Sequence, residues 1–324
     1  MPEALHGSIE LAKLADRLGY ARYWAAEHHM LNSLASPAPE ILLARVAGET
    51  RRIRLGSGGI MLPHYSALKV AECFYMLDAM CPGRIDLGVG RAPGGGPLEA
   101  FALRRERIDG AMPDDFGDQL SELLAWFDRD FPADHPFRRI RMPPFGPNGS
   151  MLWLLGSSMW SSVTAAHRGL PYAFAHFFSG ENTRQAITHY HSRFVPSKHH
   201  SKPEALIAVS AICAPSLEEA EHLASSVRLM RHRLHTAGIL GPLEPPERAI
   251  RELREVSGAP RRDHNEWPAL VVGTPDSVRA ALAQMAQALN VSELLVVTMT
   301  FDPRARLRSY ELLAEAFGLS RSET

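Results

Sequence analysis

The chain is poor in cysteine: Cys73, Cys81 and Cys213 are the only three in 324 residues. They form no CxxC pair and no even disulfide framework, which points to reduced thiols and a cytoplasmic setting. Long apolar runs are missing too, and none approaches the roughly 20 residues that span a bilayer. The start Met1-Pro2-Glu3-Ala4-Leu5-His6 lacks a basic stretch followed by an apolar one, so no secretory leader is expected. Nor is there an excess of charge of either sign. A formal net charge of −1 removes the electrostatic footprint that nucleic acid or an anionic membrane would require. Several motifs are absent as well. There is no HExxH and no spaced set of Cys or His ligands, so no metal site is expected. No GxGxxG follows a strand, and Gly94-Gly95-Gly96 lacks the Gly-Lys-Ser/Thr that makes a glycine run a phosphate loop.

What is present is a large apolar fraction, 45% of residues, enough for one sizeable core. α/β barrels reach this length as a single domain, and residues 1–324 are read as one. Short β-rich runs alternate with longer helical stretches. Helices are predicted over Pro2–Leu18, Pro39–Thr50, Ala67–Met80, Asp114–Phe127, Ser161–Arg168, Glu181–Phe194, Leu217–Arg233, Pro275–Leu289 and Ala305–Phe317. Strands are predicted over Tyr20–Ala26, Ile53–Met61, Arg84–Gly90, Met151–Leu155, Tyr172–Phe177, Ala205–Ala214 and Glu293–Met299. The stretch 128–150 reads as a polar, proline-containing connection, and 236–268, full of Gly and Pro, as a lid or insertion.

Such alternation implies a parallel sheet with right-handed crossovers. Seven strands are one fewer than a closed (β/α)₈ barrel needs, and the vacant place lies just before Pro2. The unusual residues cluster where strands end: Glu27-His28-His29, Gly58-Gly59, Gly90-Arg91, Gly156-Ser157-Ser158, His176 and Thr298-Met299. In a β/α barrel the carboxyl ends of the strands form the active-site face, whereas an open sheet concentrates ligands at one switch point. The distribution favours a barrel.

Three of these features suggest chemistry. Leu154-Leu155-Gly156-Ser157-Ser158-Met159-Trp160-Ser161-Ser162 reads as strand, small-residue turn and helix start. Unpaired N–H groups and the helix dipole favour an anion there, and an Arg at a neighbouring strand end could clamp it. The alternative is that Ser158 or Ser161 simply caps the helix and that Arg91 is a solvated or salt-bridged side chain. Adjacent residues on a strand face opposite ways, so His28 and His29 do not share a metal. A histidine at a barrel mouth suits a general base, unless Glu27 or the backbone satisfies it. Gly56-Ser57-Gly58-Gly59 inside a strand marks a bulge or a close approach. By contrast, Arg104-Arg105-Glu106-Arg107 reads as a solvated helix face.

Several stretches together resemble the bacterial-luciferase-like flavin monooxygenases, nearest to the single-chain branch that includes antibiotic-tailoring oxygenases. They are Tyr23-Trp24-Ala25-Ala26-Glu27-His28-His29, the run Arg52 to Pro63, Leu77-Asp78, Pro82 to Gly94, Leu154 to Ser158, and Leu307 to Ala314. The resemblance implies a (β/α)₈ TIM barrel lacking its first strand in this chain, and reduced FMN bound at the carboxyl-end face. It implies that Arg91, next to Gly90, and the turn of Ser157, Ser158 and Ser161 hold the phosphate. Gly58-Gly59 matches a non-proline cis peptide beside the flavin ring, and His28 matches the active-site histidine. It also implies a homodimer and reduced FMN supplied by a separate flavin reductase. A flavin hydroperoxide formed with O₂ would then oxygenate a small organic substrate. Gly90 stands where luciferase has a reactive cysteine and Ser66 where it has another histidine, so light emission does not follow. Two other readings stay open: a deazaflavin-dependent oxidoreductase on the same barrel, and a flavin-binding protein without turnover.

Overall fold

A computed structural model describes residues 2–92, 97–103, 115–141, 150–255 and 266–319. The Gly94-Gly95-Gly96 run, the Arg104–Arg107 tract, and parts of the 128–150 connection and the 236–268 segment lie outside the described residues. In chain order the elements are α1 (Pro2–Leu18), β1 (Arg22–Ala25), α2 (Pro39–Ala47), β2 (Arg54–Met61), α3 (Ala67–Met80), β3 (Ile85–Gly90), α4 (Pro97–Leu103), α5 (Phe116–Asp128), β4 (Met151–Gly156), α6 (Met159–Arg168) and β5 (Tyr172–Ala175). They continue with α7 (Thr183–Arg193), β6 (Ala205–Cys213), α8 (Leu217–Ala237), α9 (Pro246–Glu255), β7 (Leu270–Gly273), α10 (Pro275–Leu289), β8 (Glu293–Val297) and α11 (Pro303–Ala316). Strands alternate with helices and pair in parallel, which is the pattern of a (β/α)₈ barrel. No helix among the described residues is long and apolar enough to cross a membrane.

The chain divides into two compact units: Ala21–Met30 with Ser36–Trp153, and Met1–Tyr20 with Leu31–Ala35 and Leu154–Thr324. In the first, β1, β2 and β3 run side by side. The register slips between Ser57 and Ile60, so the glycine-rich stretch does hold an irregularity. It also meets a close approach: a Cβ on Gly56 would lie 2.6 Å from Trp24 Nε1 and 2.8 Å from Asp86 Cβ. Ser57, wholly buried, spans the slip. Its hydroxyl donates to Gly88 O at 2.8 Å and accepts from Gly88 N at 3.0 Å. Toward the amino ends of these strands sits Asp86, with no exposed surface. One carboxylate oxygen accepts from Arg22 (2.9 Å) and the Trp24 indole (3.0 Å). The other accepts twice from Arg54, at 3.0 and 2.5 Å. A buried carboxylate persists only when paired and hydrogen-bonded in this way.

In the second unit β6 is buried along all nine residues, which explains why it reads as an unbroken run of apolar and small side chains. It pairs with β5 over Ala205–Ala208, with β8 over Leu206–Ser210 and with β7 over Ser210–Cys213. β5 and β8 overlap along β6 and so occupy opposite edges. β7 overlaps β8 at Ser210, which puts it on the β5 edge, continuing the line of β5. The sequence pattern does not reveal this short strand. Residues 236–268 likewise contain a helix, α9, that Gly and Pro content conceals. Arg233 ties it to α8 through Glu252 (2.5 Å), and the residues just before it are held to α8 by Arg233 with Glu244 (3.2 Å) and by Ser226 donating to Glu244 O at 2.7 Å. The stretch after α5 is less polar than its composition suggests, because Phe131 is buried with its ring 4.5 Å from that of Trp126.

Candidate active site

Three strand ends of the first unit carry its polar residues. β1 delivers Glu27, His28 and His29. Glu27 and His29 lie two apart and are both buried, at 1% and 8% exposure, while His28 between them is half-buried. The side chains separate as pleating requires. Glu27 accepts three hydrogen bonds: from Met61 N at the end of β2 (3.0 Å), from the Tyr65 hydroxyl (2.8 Å) and from His29 Nε2 (2.7 Å). A carboxylate only accepts, so His29 carries its proton on Nε2. His64 meets the His29 ring edge-on at 5.8 Å. Burial and the Glu27 charge raise the Tyr65 hydroxyl above its ordinary pKa. Burial raises the Glu40 carboxyl too, with Glu27 adding to it against the opposing pull of its own backbone, Lys69 and His29.

The alternative weighed from sequence, a histidine satisfied by Glu27, therefore describes His29 and not its neighbour. The His28 backbone N–H donates to Ser36 O at 3.0 Å, but its ring has no hydrogen-bond partner among the described residues. Burial first, then the positive charge of His29, lower its pKa from the ordinary 6.5. It is neutral at pH 7 and able to accept a proton. Within β2 the Gly58-Gly59 peptide is cis, as the resemblance leads one to expect. β3 ends at Gly90, where a Cβ would meet nothing within 4 Å. Arg91 follows, exposed.

The second unit carries the serines. Ser158 is the N-cap of α6 yet makes no side-chain cap bond. It is exposed, and its hydroxyl has no partner among the described residues. Capping therefore does not account for Ser158. Ser161 is different. It is 3% exposed, and its hydroxyl donates to Ser158 O (2.7 Å) and contacts the Tyr172 hydroxyl (2.9 Å). Burial raises the Tyr172 pKa, against an opposing effect of that Ser161 contact. Gly156 is needed here, since a Cβ would come within 2.3 Å of Ser161 Oγ. What Ser161 offers outward is its backbone N–H. Together with those of Met159 and Trp160 it belongs to the first helical turn, where N–H groups lack helical partners. Ser157, in the turn itself, is half-buried. His176, at the end of β5, is fully engaged: Nδ1 meets Thr183 Oγ1 at 2.8 Å and Nε2 donates to Pro268 O at 3.2 Å. Thr298 donates to Ala211 O at 2.8 Å.

Sequence reasoning does not find Tyr65, His64 or Tyr172. Tyr172 had one legible signal, a tyrosine on a buried strand, whose hydroxyl needs a partner. Nothing local marks the other two.

Parallel strands alternating with helices, with polar residues gathered at strand ends within each unit, are the frame of an FMN-dependent oxidoreductase on a (β/α)₈ barrel. The family model described as luciferase-like monooxygenase matches residues 1–292, and the chain belongs to that family. It is 34% identical over 319 residues to the N-acetyl-S-alkylcysteine monooxygenase of Bacillus subtilis, covering 97% of this chain and 92% of that one. The crystal structure of apo-MsnO8 superposes with a TM-score of 0.89 at 45% identity, covering 99% of this chain and 94% of that one. The oxygenating constituent of 3,6-diketocamphane monooxygenase from Pseudomonas putida, solved with FMN, shares the fold at 18% identity. Its TM-score is 0.71, with 98% of this chain and 93% of that one covered.

Proposed function

We propose that the chain is the oxygenase component of a two-component flavin monooxygenase. Reduced FMN arrives from a separate flavin reductase, and O₂ is the co-substrate. The net change is substrate plus O₂ plus reduced FMN to oxygenated product, oxidised FMN and water. When bound, FMN supplies the oxygen-activating chemistry, and the protein supplies binding, orientation and exclusion of water. A homodimer in the cytoplasm goes with this reading.

The observation that carries it is Ser158. Its hydroxyl is exposed and unengaged at the head of a helix whose first-turn N–H groups have no helical partners. A phosphate fits that donor set. In this reading Ser158, the turn at Ser157, the Ser161 N–H and Arg91 hold the phosphate. Ser161 also braces the turn from below, through Tyr172. Gly58, Gly59 and Gly90 leave room beside the flavin ring. His28, being neutral, takes up a proton during turnover and returns it.

The test is an anaerobic titration with reduced FMN, followed by oxygen uptake with NADH and a flavin reductase supplied. The Bacillus relative makes N-acetylated S-alkylcysteines the first substrates to try. Oxygen uptake should match product formed. The Arg91→Ala variant should bind FMN more weakly by about 1.5–3 kcal/mol, the range for a charged hydrogen bond. Turnover of a deazaflavin without oxygen, or failure to bind reduced FMN, would overturn the proposal.

A further inference from the structure

The carboxylate of Glu27 is buried, yet no cation of fixed charge contacts it among the described residues. Its three donors come from three places: the backbone at the end of β2, a tyrosine beyond the following turn, and a histidine two residues along its own loop. Residues 27 and 29 are thus held together on the inward side. The backbone of residue 28 is held independently, by Ser36 O. Immediately afterwards Met30 adopts a left-handed backbone, φ 54°, and its side chain is 83% exposed. β1 has already ended at Ala25, so the facing of residues 27–29 is set neither by the strand ladder nor by the residues that follow.

We infer that Glu27 is a positioning residue, whose three hydrogen bonds pin His29 inward and so present the His28 ring, without partners, to the reaction site. Were the hub absent, His29 could turn outward and compete with His28 for the same opening. Loss of Glu27 would then disorder a base that it never touches. The inference rests on His28 being the base, and it is tested separately from that reading.

The first measurement needs no flavin. In the resting protein, the His28 ring resonances, assigned by their loss in His28→Asn, should form one sharp set. In Glu27→Gln they should split or broaden, because one amide oxygen cannot serve all three donors. The second measurement is turnover with the reductase system. Glu27→Gln should lower kcat about 10- to 100-fold with the Kd for FMN unchanged, the scale of a misplaced catalytic group. Tyr65→Phe removes a single donor and should move both readouts in the same direction by less, which covers the case of an unfolded Glu27 variant. A single, unshifted His28 resonance set in Glu27→Gln, or in Tyr65→Phe if the first does not fold, would overturn the inference. So would an unchanged kcat per folded molecule. Intact kcat in His28→Asn would instead overturn the assignment of His28 as base.

Discussion

Asp86 and Glu27 are both buried carboxylates of the same unit, but they keep different company. Asp86, near the amino ends of the strands, is held by the guanidinium groups of Arg22 and Arg54 and by the Trp24 indole. Arginine is always charged and its donors are fixed in direction, so both guanidinium groups stay charged and aimed at the carboxylate. Glu27, at the carboxyl ends, is held by an amide, a phenol and an imidazole. None of those three donors is a permanent cation. The carboxylate at the amino ends is secured with permanent charges, while the one beside the candidate base is held by donors that carry none.

Three variants can break or sharpen this contrast. The largest effect is expected from Asp86→Ala, which strands two partly buried arginines. Removing one partner of a buried pair costs about 3–5 kcal/mol, to be read from the midpoint of a urea titration with unchanged slope. A loss under about 1 kcal/mol, the scale of an exposed pair, would end the description of Asp86 as a lock. Next comes His29→Asn. Burial is the main cause of the depressed His28 pKa and the His29 charge the second. The neutral ring works above that pKa, and activity is lost as pH falls through it. Without His29 the pKa rises, so the acid limb of the kcat profile should move to higher pH. The same sign governs stability. Unfolded His28 binds its proton near 6.5 and the folded form only at lower pH, so wild-type stability falls with acidification below about 6.5, and less so in His29→Asn. An acid limb that stays in place would show that the two histidines are not coupled.

The smallest effect belongs to Ser158→Ala, a polar group outside both networks. FMN affinity should fall by about 1.5 kcal/mol, the low end for a hydrogen bond to a charged group. The melting temperature should hold, because the hydroxyl caps nothing. A drop in stability of about 1 kcal/mol, the usual cost of a lost cap, would show that the serine belongs to the helix and not to a ligand.

The sequence revealed the seven strands first counted because each is bounded by Gly, Pro or polar residues and belongs to a β/α repeat. It did not reveal β7, whose four residues, alternately buried and half-buried, are too few for a period. Nor did it reveal α9, which stands among prolines and glycines. Candidate residues were legible one at a time, since His28, Arg91 and Ser158 all fall at strand ends. Their partnerships were not. Met61 and Tyr65 lie 34 and 38 residues from Glu27, and Arg22 lies 64 from Asp86. Alternation tells that His28 and His29 face opposite ways, but which of them faces in depends on where Glu27 finds its donors. Likewise nothing near Ser161 says that its hydroxyl turns inward to Tyr172.

The crowding of β6 has a consequence for how the second unit comes apart. Within nine residues this strand is bonded to β5, β7 and β8, and the Ser309 hydroxyl of α11 accepts from its last N–H at 2.9 Å. No residue of β6 can fray without loosening at least one other strand. Regions open locally when their bonds are few and solvent-facing, and β6 is the opposite case. Its amides should exchange with solvent only as fast as the whole unit opens, which would make β6 the keel of a cooperative block. Arg184 and His176 moor Glu266, Trp267 and Pro268 to that same block.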